Sequence, residues 1–409
     1  MTEVVEMKLV VQKYGGSSVA TPERIKNVAM RIKKKVEEGF KVVVVVSAMG
    51  KTTDELIKLA KEVSPKPDAR ELDMLLATGE QVSAALLSMA LKDLGVKAKS
   101  LNAFQVRIKT TPHHTSARIM DIDDSVIMEN LKEHDALVVT GFQGVNERGD
   151  LTTLGRGGSD TSAVALAAKL RVPCEIYSDV DGIYTCDPRL IPGAKKLKYI
   201  TYDEALELTA LGAKVLHSRS VEIAKKYRIP VYCASSFVEE EGTMVVERLP
   251  EWLEEPVVTG ATISHGQIKV SISFLPKEAE YITAIFEEVG KRSLNVDMIS
   301  LVPSNGKVFL SFTILEDHKD DLDEALRNAL KNVEGWKSSY EEGFAKLSIV
   351  GVGMRTSPGV AARFFSALKR VGVTPELVTT SEIKISCLVP EKDAEKALKA
   401  VVDEFDLAE

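Results

Sequence analysis

Cysteine is scarce in this sequence. The 409 residues include four cysteines, and none has the CxxC spacing or the histidine pattern of a zinc site. A small scaffold held together by disulfides is therefore excluded. We expect reduced, packed thiols at Cys174, Cys186, Cys233 and Cys387.

The sequence also lacks long apolar runs and a large excess of one charge. Val42–Val46 is among the longest apolar runs and falls far short of the roughly 20 residues that a membrane helix needs. Lys and Arg total 53 against 60 for Asp and Glu, a net charge of -7, so no general positive field favours nucleic acid. The first residues, with Glu3 and Glu6, do not have the layout of a signal peptide. We expect a cytoplasmic protein with no membrane and no nucleic-acid partner.

Length and patterning predict several domains. At about 150 residues per domain, the chain has room for two or three. In the first half, short apolar runs alternate with helical patterns, which predicts an α/β fold with a mostly parallel sheet flanked by helices. Strands at Lys8–Lys13 and Val42–Ser47 enclose a helix that starts at Pro22. Further helices are predicted at Glu71–Leu94 and Ser162–Leu170.

A weak internal repeat follows the charged, proline-containing stretch Glu247–Pro256, which reads as a linker. One unit begins with the strand Ile268–Phe274, and a second begins about 77 residues later at Ala345–Val350. Each unit has the order β-α-β-β-α, which predicts a ferredoxin-like fold with room for one more strand. The pair is interpreted as a regulatory module, with a purely structural oligomerisation domain as the alternative.

A lysine and two glycines follow the first strand, in the stretch Lys13-Tyr14-Gly15-Gly16-Ser17-Ser18. Ligands bind α/β sheets at the carboxyl ends of strands, and a glycine turn before a helix lets backbone N–H groups approach an anion. A tight turn with a surface lysine is the alternative. Gly50-Lys51-Thr52 is no P-loop, because the first glycine of that motif is replaced by Val45.

The segment Thr152–Asp160 carries the densest signal. Its three glycines surround Arg156 and precede a Ser-Asp pair at a predicted helix start, so an anion could meet backbone donors, a guanidinium and a hydroxyl together. His113 and His114 are interpreted as loop residues and not as metal ligands. Downstream, Ser178–Arg189 mixes acids, an aromatic residue and an arginine, which suits a nucleotide but also an ordinary surface turn. Lys214 lies in a Gly-Ala-Lys sequence after a helix.

Taken in order, these motifs resemble the aspartate kinases of the amino acid kinase family. The resemblance rests on Lys13-Tyr-Gly-Gly-Ser-Ser, Ser47 with Thr53, Thr78-Gly79-Glu80, the Arg156 segment, Ser178 to Arg189, and Lys214. It implies an amino-acid-kinase-type αβα sandwich with a mostly parallel central sheet, plus two ferredoxin-like ACT units. The predicted boundaries are 1–245 for the catalytic domain, 246–267 for a linker, 268–340 for ACT domain 1 and 341–409 for ACT domain 2.

The resemblance also implies roles for individual residues. Lys13 would stabilise the transferred phosphoryl group and Asp160 would orient the lysines. The implied substrate contacts are Ser47, Thr53, Glu80, Arg156 and Ser159, with Glu80 taking the amino group and Arg156 the α-carboxylate. The implied nucleotide contacts are Gly15, Gly16, Ser17, Ser178, Asp179, Tyr184, Arg189 and Lys214. Asn295 and Asp297 fall in the implied effector-binding stretch.

The implied reaction moves the γ-phosphate of ATP, with Mg²⁺, to the β-carboxylate of L-aspartate. An ionised carboxylate can attack without a general base, which agrees with a site rich in lysine and arginine and with no firm metal ligand. The resemblance further implies inhibition by lysine or threonine, a homo-oligomer formed through the ACT units, and an internal start near Met244 that could yield a separate regulatory subunit.

Two alternatives remain open at this point. The acceptor could be another amino acid such as glutamate, although Glu80 argues against acetylglutamate because an acylated amine carries no charge. The protein could instead be a non-catalytic amino-acid sensor. The intact set of Lys13, Arg156 and Asp160 argues against that second alternative.

Overall fold

The computed structural model describes residues 7–210, 215–251, 256–304 and 306–409, which divide into two compact units. The first unit contains the described residues up to Ile183, the segment Lys196–Thr209 and residues 215–251. The second combines Tyr184–Lys195 with the described residues from 256 onward.

The first unit alternates strands and helices, as predicted. Its strands are β1 (Leu9–Tyr14), β2 (Lys41–Val46), β3 (Ala98–Leu101), β4 (Ile108–Thr110), β5 (Ile119–Ile122), β6 (Ala136–Thr140), β7 (Gln143–Val145), β8 (Leu151–Thr153), β9 (Cys174–Ser178), β10 (Tyr199–Thr201), β11 (Val231–Ser235) and β12 (Thr243–Val246). Its helices are α1 (Pro22–Glu37), α2 (Thr52–Val63), α3 (Ala69–Asp93), α4 (Ala103–Val106), α5 (Asp124–Glu133), α6 (Gly158–Leu170), α7 (Tyr202–Ala210) and α8 (Ser218–Tyr227).

The main sheet of this unit has eight strands in the order β10-β12-β11-β9-β1-β2-β6-β3. Its pairs are parallel except β11 with β12. Val42–Val46 is fully buried, as a parallel strand covered on both faces should be. A smaller sheet, β5-β4-β7-β8, leads into the segment that carries Arg156.

Local sequence signals explain where several helices begin. Thr21 caps α1 by accepting from the backbone N–H of Arg24 at 3.2 Å, and Pro22 occupies the first turn. The helix α6 begins at Gly158, four residues before the prediction. Gly157 has a left-handed backbone, φ 70°, which lets the chain turn from Arg156 directly into the helix.

By length and hydropathy, α3 could cross a membrane, and among the described residues it is the one helix that passes this test. Half of its apolar stretch is buried in the structure. The buried residues include the carboxylates Asp73 and Glu80, which hydrocarbon would exclude. We therefore describe α3 as a core helix of the first unit.

The second unit is built on one antiparallel sheet of six strands, in the order β14-β15-β13-β16-β18-β17. Its strands are β13 (Gly260–Pro276), β14 (Asp297–Ser304), β15 (Lys307–Leu315), β16 (Lys337–Val350), β17 (Glu376–Thr380) and β18 (Lys384–Pro390). Its helices are α9 (Ala279–Lys291), α10 (Lys319–Ala329), α11 (Val360–Arg370) and α12 (Ala394–Glu404).

The two predicted repeats share strands in a way that the sequence pattern did not show. The end of β13, from Gln267, pairs with β15, whereas its beginning, Gly260–Ser264, pairs with the end of β16. The missing strand of the second repeat therefore precedes the first repeat in the chain. Part of the predicted linker 246–267 is consequently a strand, because its apolar residue Ala261 packs in the core of the second repeat.

The segment Tyr184–Lys195 lies inside the predicted catalytic domain but belongs to the second unit. Leu190, Ile191 and Ala194 pack against the core formed by α11 and α12. Backbone bonds also tie the segment to the end of the chain, where Glu409 N donates to Gly193 O at 2.9 Å. The four cysteines are free and buried, as expected.

Candidate active site

A cavity of about 280 Å³ lies in the first unit, at the carboxyl ends of parallel strands β1, β2 and β6. This edge is where open α/β sheets bind ligands. The structure brings together eight predicted residues around it: Lys13, Gly16, Ser47, Thr53, Glu80, Arg156, Ser159 and Asp160. They come from four separate stretches of the chain, so the fold and not local sequence assembles them.

An ion pair connects the first strand to α6. Lys13, at the end of β1, is 8% exposed, and its Nζ lies 2.7 Å from Oδ1 of Asp160 in the first turn of α6. A carboxylate in a first helical turn is favoured by the helix dipole. The pair holds a cation at the cavity wall in a fixed position.

The turn after β1 approaches the turn after β2 very closely. A Cβ on Gly16 would lie 2.9 Å from the carbonyl oxygen of Ala48, so no other residue fits without a backbone shift. Gly50 N donates to Gly16 O at 3.0 Å and Gly15 N donates to Tyr177 O at 3.2 Å. These bonds fix the glycine turn against both neighbouring strands.

Glu80 is a buried carboxylate of the cavity with one oxygen that is unpaired in the part of the chain that the structure describes. Its side chain on α3 is 2% exposed, and Oε1 accepts from Ala48 N at 3.2 Å. Among the described residues, Oε2 finds no hydrogen-bond partner. Burial raises the pKa of Glu80 to about 7, although the bond from Ala48 partly opposes the shift. A bound cation would supply the missing partner for this carboxylate.

Arg156 and Ser159 stand on a turn that glycines shape. Gly155 and Gly157 have φ of 78° and 70°, a conformation that other residues adopt at a cost. Opposite this turn lies Phe142, which lines the cavity with a left-handed backbone of φ 70°. Its N–H donates to Ser162 Oγ at 3.1 Å and its carbonyl accepts from Leu154 N at 2.8 Å. Sequence reasoning missed Phe142, although a residue directly after a buried strand and Gly141 was a signal.

The residues predicted for the nucleotide are divided between the two units. Ser178 ends β9 and Asp179 follows it in the first unit, whereas Tyr184 and Arg189 belong to the second unit. Arg189 is exposed and bound through Nε and Nη2 to Asp187. That hydrogen bond lowers the pKa of Asp187. Lys214 lies outside the described residues.

The predicted turn residue Ser17 is held from outside the cavity. Arg24 donates through Nη1 to the carbonyl oxygen of Ser17 at 2.7 Å. Beside it, the hydroxyl of Ser236 lies 2.7 Å from that of Ser18 and donates to Ser178 O at 3.1 Å. Sequence reasoning missed Arg24 and Ser236, because neither stands in a recognisable motif.

In the second unit, Asp297 begins the edge strand β14, and Asn295 lies two residues before it. Partial burial alone would raise the pKa of Asp297, but its hydrogen bond and charge attraction to Lys346 lower it. Asp297 is half exposed and Lys346 is largely buried.

A cavity with a lysine fixed by an ion pair, an arginine on a glycine turn and a buried carboxylate with an oxygen unpaired among the described residues suits a small-molecule kinase of the amino acid kinase class. The model of the amino acid kinase family matches residues 8–235, and an ACT domain model matches residues 347–405. Relatives that are similar over nearly the full length of the chain identify the family within this class of kinases. An aspartokinase from Geobacillus stearothermophilus is 48% identical over 98% of both chains, and aspartokinase 2 from Bacillus subtilis is 45% identical over 98% of both.

The chain therefore belongs to the aspartokinase family, whose members are ATP-dependent kinases. Solved structures agree with this placement. Aspartokinase III from Escherichia coli, solved with aspartate and ADP, has a TM-score of 0.79 at 23% identity over 98% of this chain and all of that one, which shows the fold. Aspartate kinase from Synechocystis is 42% identical over 97% of this chain and 69% of that one, with a TM-score of 0.54.

Proposed function

We propose that this protein transfers the γ-phosphoryl group of ATP to the β-carboxylate of L-aspartate, giving 4-phospho-L-aspartate. The observation that carries the proposal is the cavity of the first unit. It sets the buried, unsatisfied Glu80 beside Lys13 and Arg156, an arrangement that suits one ammonium group and two carboxylates. The E. coli structure with aspartate and ADP supports the same ligands for this family.

Each predicted residue takes a role in this reaction. Arg156 binds the α-carboxylate of the substrate and Glu80 its amino group, while Ser47, Thr53 and Ser159 complete the substrate site. Lys13 neutralises the transferred phosphoryl group, and Asp160 orients Lys13 through the ion pair at 2.7 Å. The nucleotide contacts are Gly15, Gly16, Ser17, Ser178, Asp179, Tyr184, Arg189 and Lys214.

The chemistry needs positioning more than proton transfer. The β-carboxylate of aspartate is ionised at neutral pH and attacks the γ-phosphorus, with ADP as the leaving group. Mg²⁺ would bind mainly to the phosphate oxygens of ATP, because in proteins it keeps several waters and needs one or two carboxylates at most. Asp160, which pairs with Lys13, is the carboxylate of the cavity that would face such an ion, and we assign no firm metal ligand.

A coupled assay of ADP release with ATP, Mg²⁺ and either aspartate or glutamate tests the proposal. We expect turnover of aspartate, little turnover of glutamate, and a loss of kcat of about 100-fold or more in Lys13→Ala. Lys41→Ala is the matched control, because Lys41 pairs with Asp135 at the start of β2, away from the cavity, and should leave kcat unchanged. Absence of aspartate turnover, or equal losses in both variants, would refute the proposal.

We also propose feedback regulation and assembly through the second unit, with lysine or threonine as effector at Asn295 and Asp297. The outer strand β14 and its neighbour β15 expose apolar side chains that a second copy could cover: Ile299, Leu301, Val302 and Phe309. The enzyme would then stand at the first step of lysine, threonine and methionine synthesis. A structure of the E. coli relative with lysine and aspartate supports the effector class.

Two measurements test this second proposal. Sedimentation should show a dimer or larger, and Val302→Asp should shift it towards monomer. Lysine and threonine, singly and together, should lower the rate of aspartate turnover. A monomeric wild type, or a rate unchanged by all three additions, would contradict it. A cytoplasmic location and an internal start at Met244, which lies within β12, stay predictions.

A further inference from the structure

Asp73 is a fully buried carboxylate that no predicted role includes. It lies on α3, seven residues before Glu80, and is 0% exposed. Its oxygens accept from Thr115 N at 3.0 Å, from Thr153 N at 3.0 Å and from Thr153 Oγ1 at 2.6 Å. The Nδ1 of His114 lies 2.8 Å from the same carboxylate. One anion thus joins three segments of the chain.

A cation binds the same two segments. Arg219, on α8, donates through Nη1 to Leu154 O at 2.5 Å and through Nη2 to Ala117 O at 3.1 Å. Ala117 N also donates to Thr153 O at 2.9 Å. The loop around residues 114–117 and the segment 153–154 are therefore fixed to each other by one buried acid, one arginine fork and a backbone bond.

The segment that these residues fix leads straight into the Arg156 turn. Gly155, Gly157 and Gly158 give this turn no side chains with which to pack, so its position depends on the residues before it. Gly155 is also close to the first loop, because a Cβ there would lie 3.0 Å from Thr115 O. A shift of Thr153 or Leu154 would move Arg156 relative to Glu80.

We propose that Asp73 and Arg219 are positioning residues for the amino-acid substrate: they hold the 153–154 segment so that Arg156 faces the substrate's α-carboxylate. The inference rests on the proposed function of Arg156. Neither residue lines the cavity, so both act through the turn. Lys13 and the glycine turn after β1 are held by other contacts, so the nucleotide side should not depend on this pair.

The test compares the Michaelis constants of the two substrates in Asp73→Asn and Arg219→Lys. Asp73→Asn keeps the size of the side chain but removes its charge and one acceptor oxygen, and Arg219→Lys keeps the charge but removes the fork of two donors. We expect KM for aspartate to rise about tenfold in each variant and KM for ATP to stay within about twofold. In the double variant, KM for aspartate should rise by less than the product of the two single-variant increases, because both residues fix the same segments.

Asp135→Asn is the control for the loss of a carboxylate charge, since Asp135 pairs with Lys41 just before β6, at the opposite end of the strand from Phe142. It should leave both constants unchanged. Equal rises in KM for aspartate and ATP, or a loss of stability with both constants unchanged, would overturn the inference. If Asp73→Asn does not fold, Arg219→Lys decides it alone.

Arg156→Ala separates this inference from the proposed function. If Arg156→Ala raises KM for aspartate while the two positioning variants do not, the inference fails and the proposed function stands. If Arg156→Ala leaves KM for aspartate unchanged, the proposed role of Arg156 fails and the positioning role fails with it.

Discussion

Two regions of α3 hold buried carboxylates that differ in one respect. Asp73 and Glu80 are seven residues apart, two helical turns, and therefore on the same face about 10 Å from each other. Both carboxylate oxygens of Asp73 accept hydrogen bonds from residues of the same unit. One oxygen of Glu80 has no hydrogen-bond partner among the described residues. Burying a polar atom without a hydrogen-bond partner lowers the stability of the fold. The comparison therefore assigns Asp73 a structural role and Glu80 a ligand-binding role.

The largest effect on kinetics should come from removing the charge of Glu80. Glu80→Gln keeps the shape of the side chain but cannot pair with the ammonium group of aspartate. We expect KM for aspartate to rise on the order of 100-fold, because removing one partner of a buried charge pair costs a few kcal/mol. Steady-state kinetics measure the change, with KM for ATP as the internal control. A rise below threefold would show that Glu80 does not meet the amino group.

The next effect concerns stability and should have opposite signs at the two positions. Asp73→Asn places an amide where N–H donors point, so we expect the free energy of unfolding to fall by about 2–3 kcal/mol. Urea unfolding at pH 8 measures it, with Asp135→Asn as the control for an acid that is about one-third exposed. An unchanged midpoint would mean that the four contacts of Asp73 contribute little.

Glu80→Gln should instead stabilise the protein at pH 8. The folded state raises the pKa of Glu80 to about 7 from an ordinary value near 4.5, so ionisation opposes folding as the pH rises through this range. The cost of ionising Glu80 in the folded wild type is complete above about pH 7 and absent below about pH 4.5. Glu80→Gln should therefore raise the free energy of unfolding by on the order of 2–3 kcal/mol at pH 8 and leave it unchanged at pH 4.5. The same gain at both pH values would contradict the account.

The smallest effect should come from a charge pair that is not buried. Arg189 is 84% exposed and bonded to Asp187. Because water and salt screen such a pair, Arg189→Ala should leave the unfolding midpoint unchanged within error. Its proposed role at the nucleotide would appear only as a higher KM for ATP. A clear loss of stability would show that the contrast between buried and exposed charges is too simple.

The sequence was enough to predict the elements and most of the cavity. Lys13, Gly16 and Asp160 stand at a strand end and a helix start, which favours an anion site, whereas Ser47, Thr53 and Glu80 were predicted from the family resemblance. It could not reveal Asp73, because a single acid in a helix carries no pattern and its partners are 41 to 80 residues away. It could not reveal the shared strand β13 either, since pairing of Gly260–Ser264 with β16 leaves no trace in periodicity.

The same limit applies to Tyr184–Lys195. Its acids, aromatic residue and arginine favoured the nucleotide, and its apolar residues Leu190 and Ile191 gave no sign that they pack against helices from the C-terminal region. Burial of a few apolar side chains decided which unit holds this segment. Long-range packing of this kind cannot be read from a local motif.

The pH dependence of KM for aspartate, in the wild type and in Glu80→Gln, tests the central claim most directly. Ionised Glu80 binds the ammonium group, so in the wild type KM should be flat above about pH 7 and rise towards tenfold per pH unit below it. In Glu80→Gln, KM should be high and independent of pH between about 5.5 and 8. A wild-type profile that is flat below pH 7, or the same slope in both proteins, would contradict the claim that Glu80 is kept unsatisfied for the amino group of the substrate.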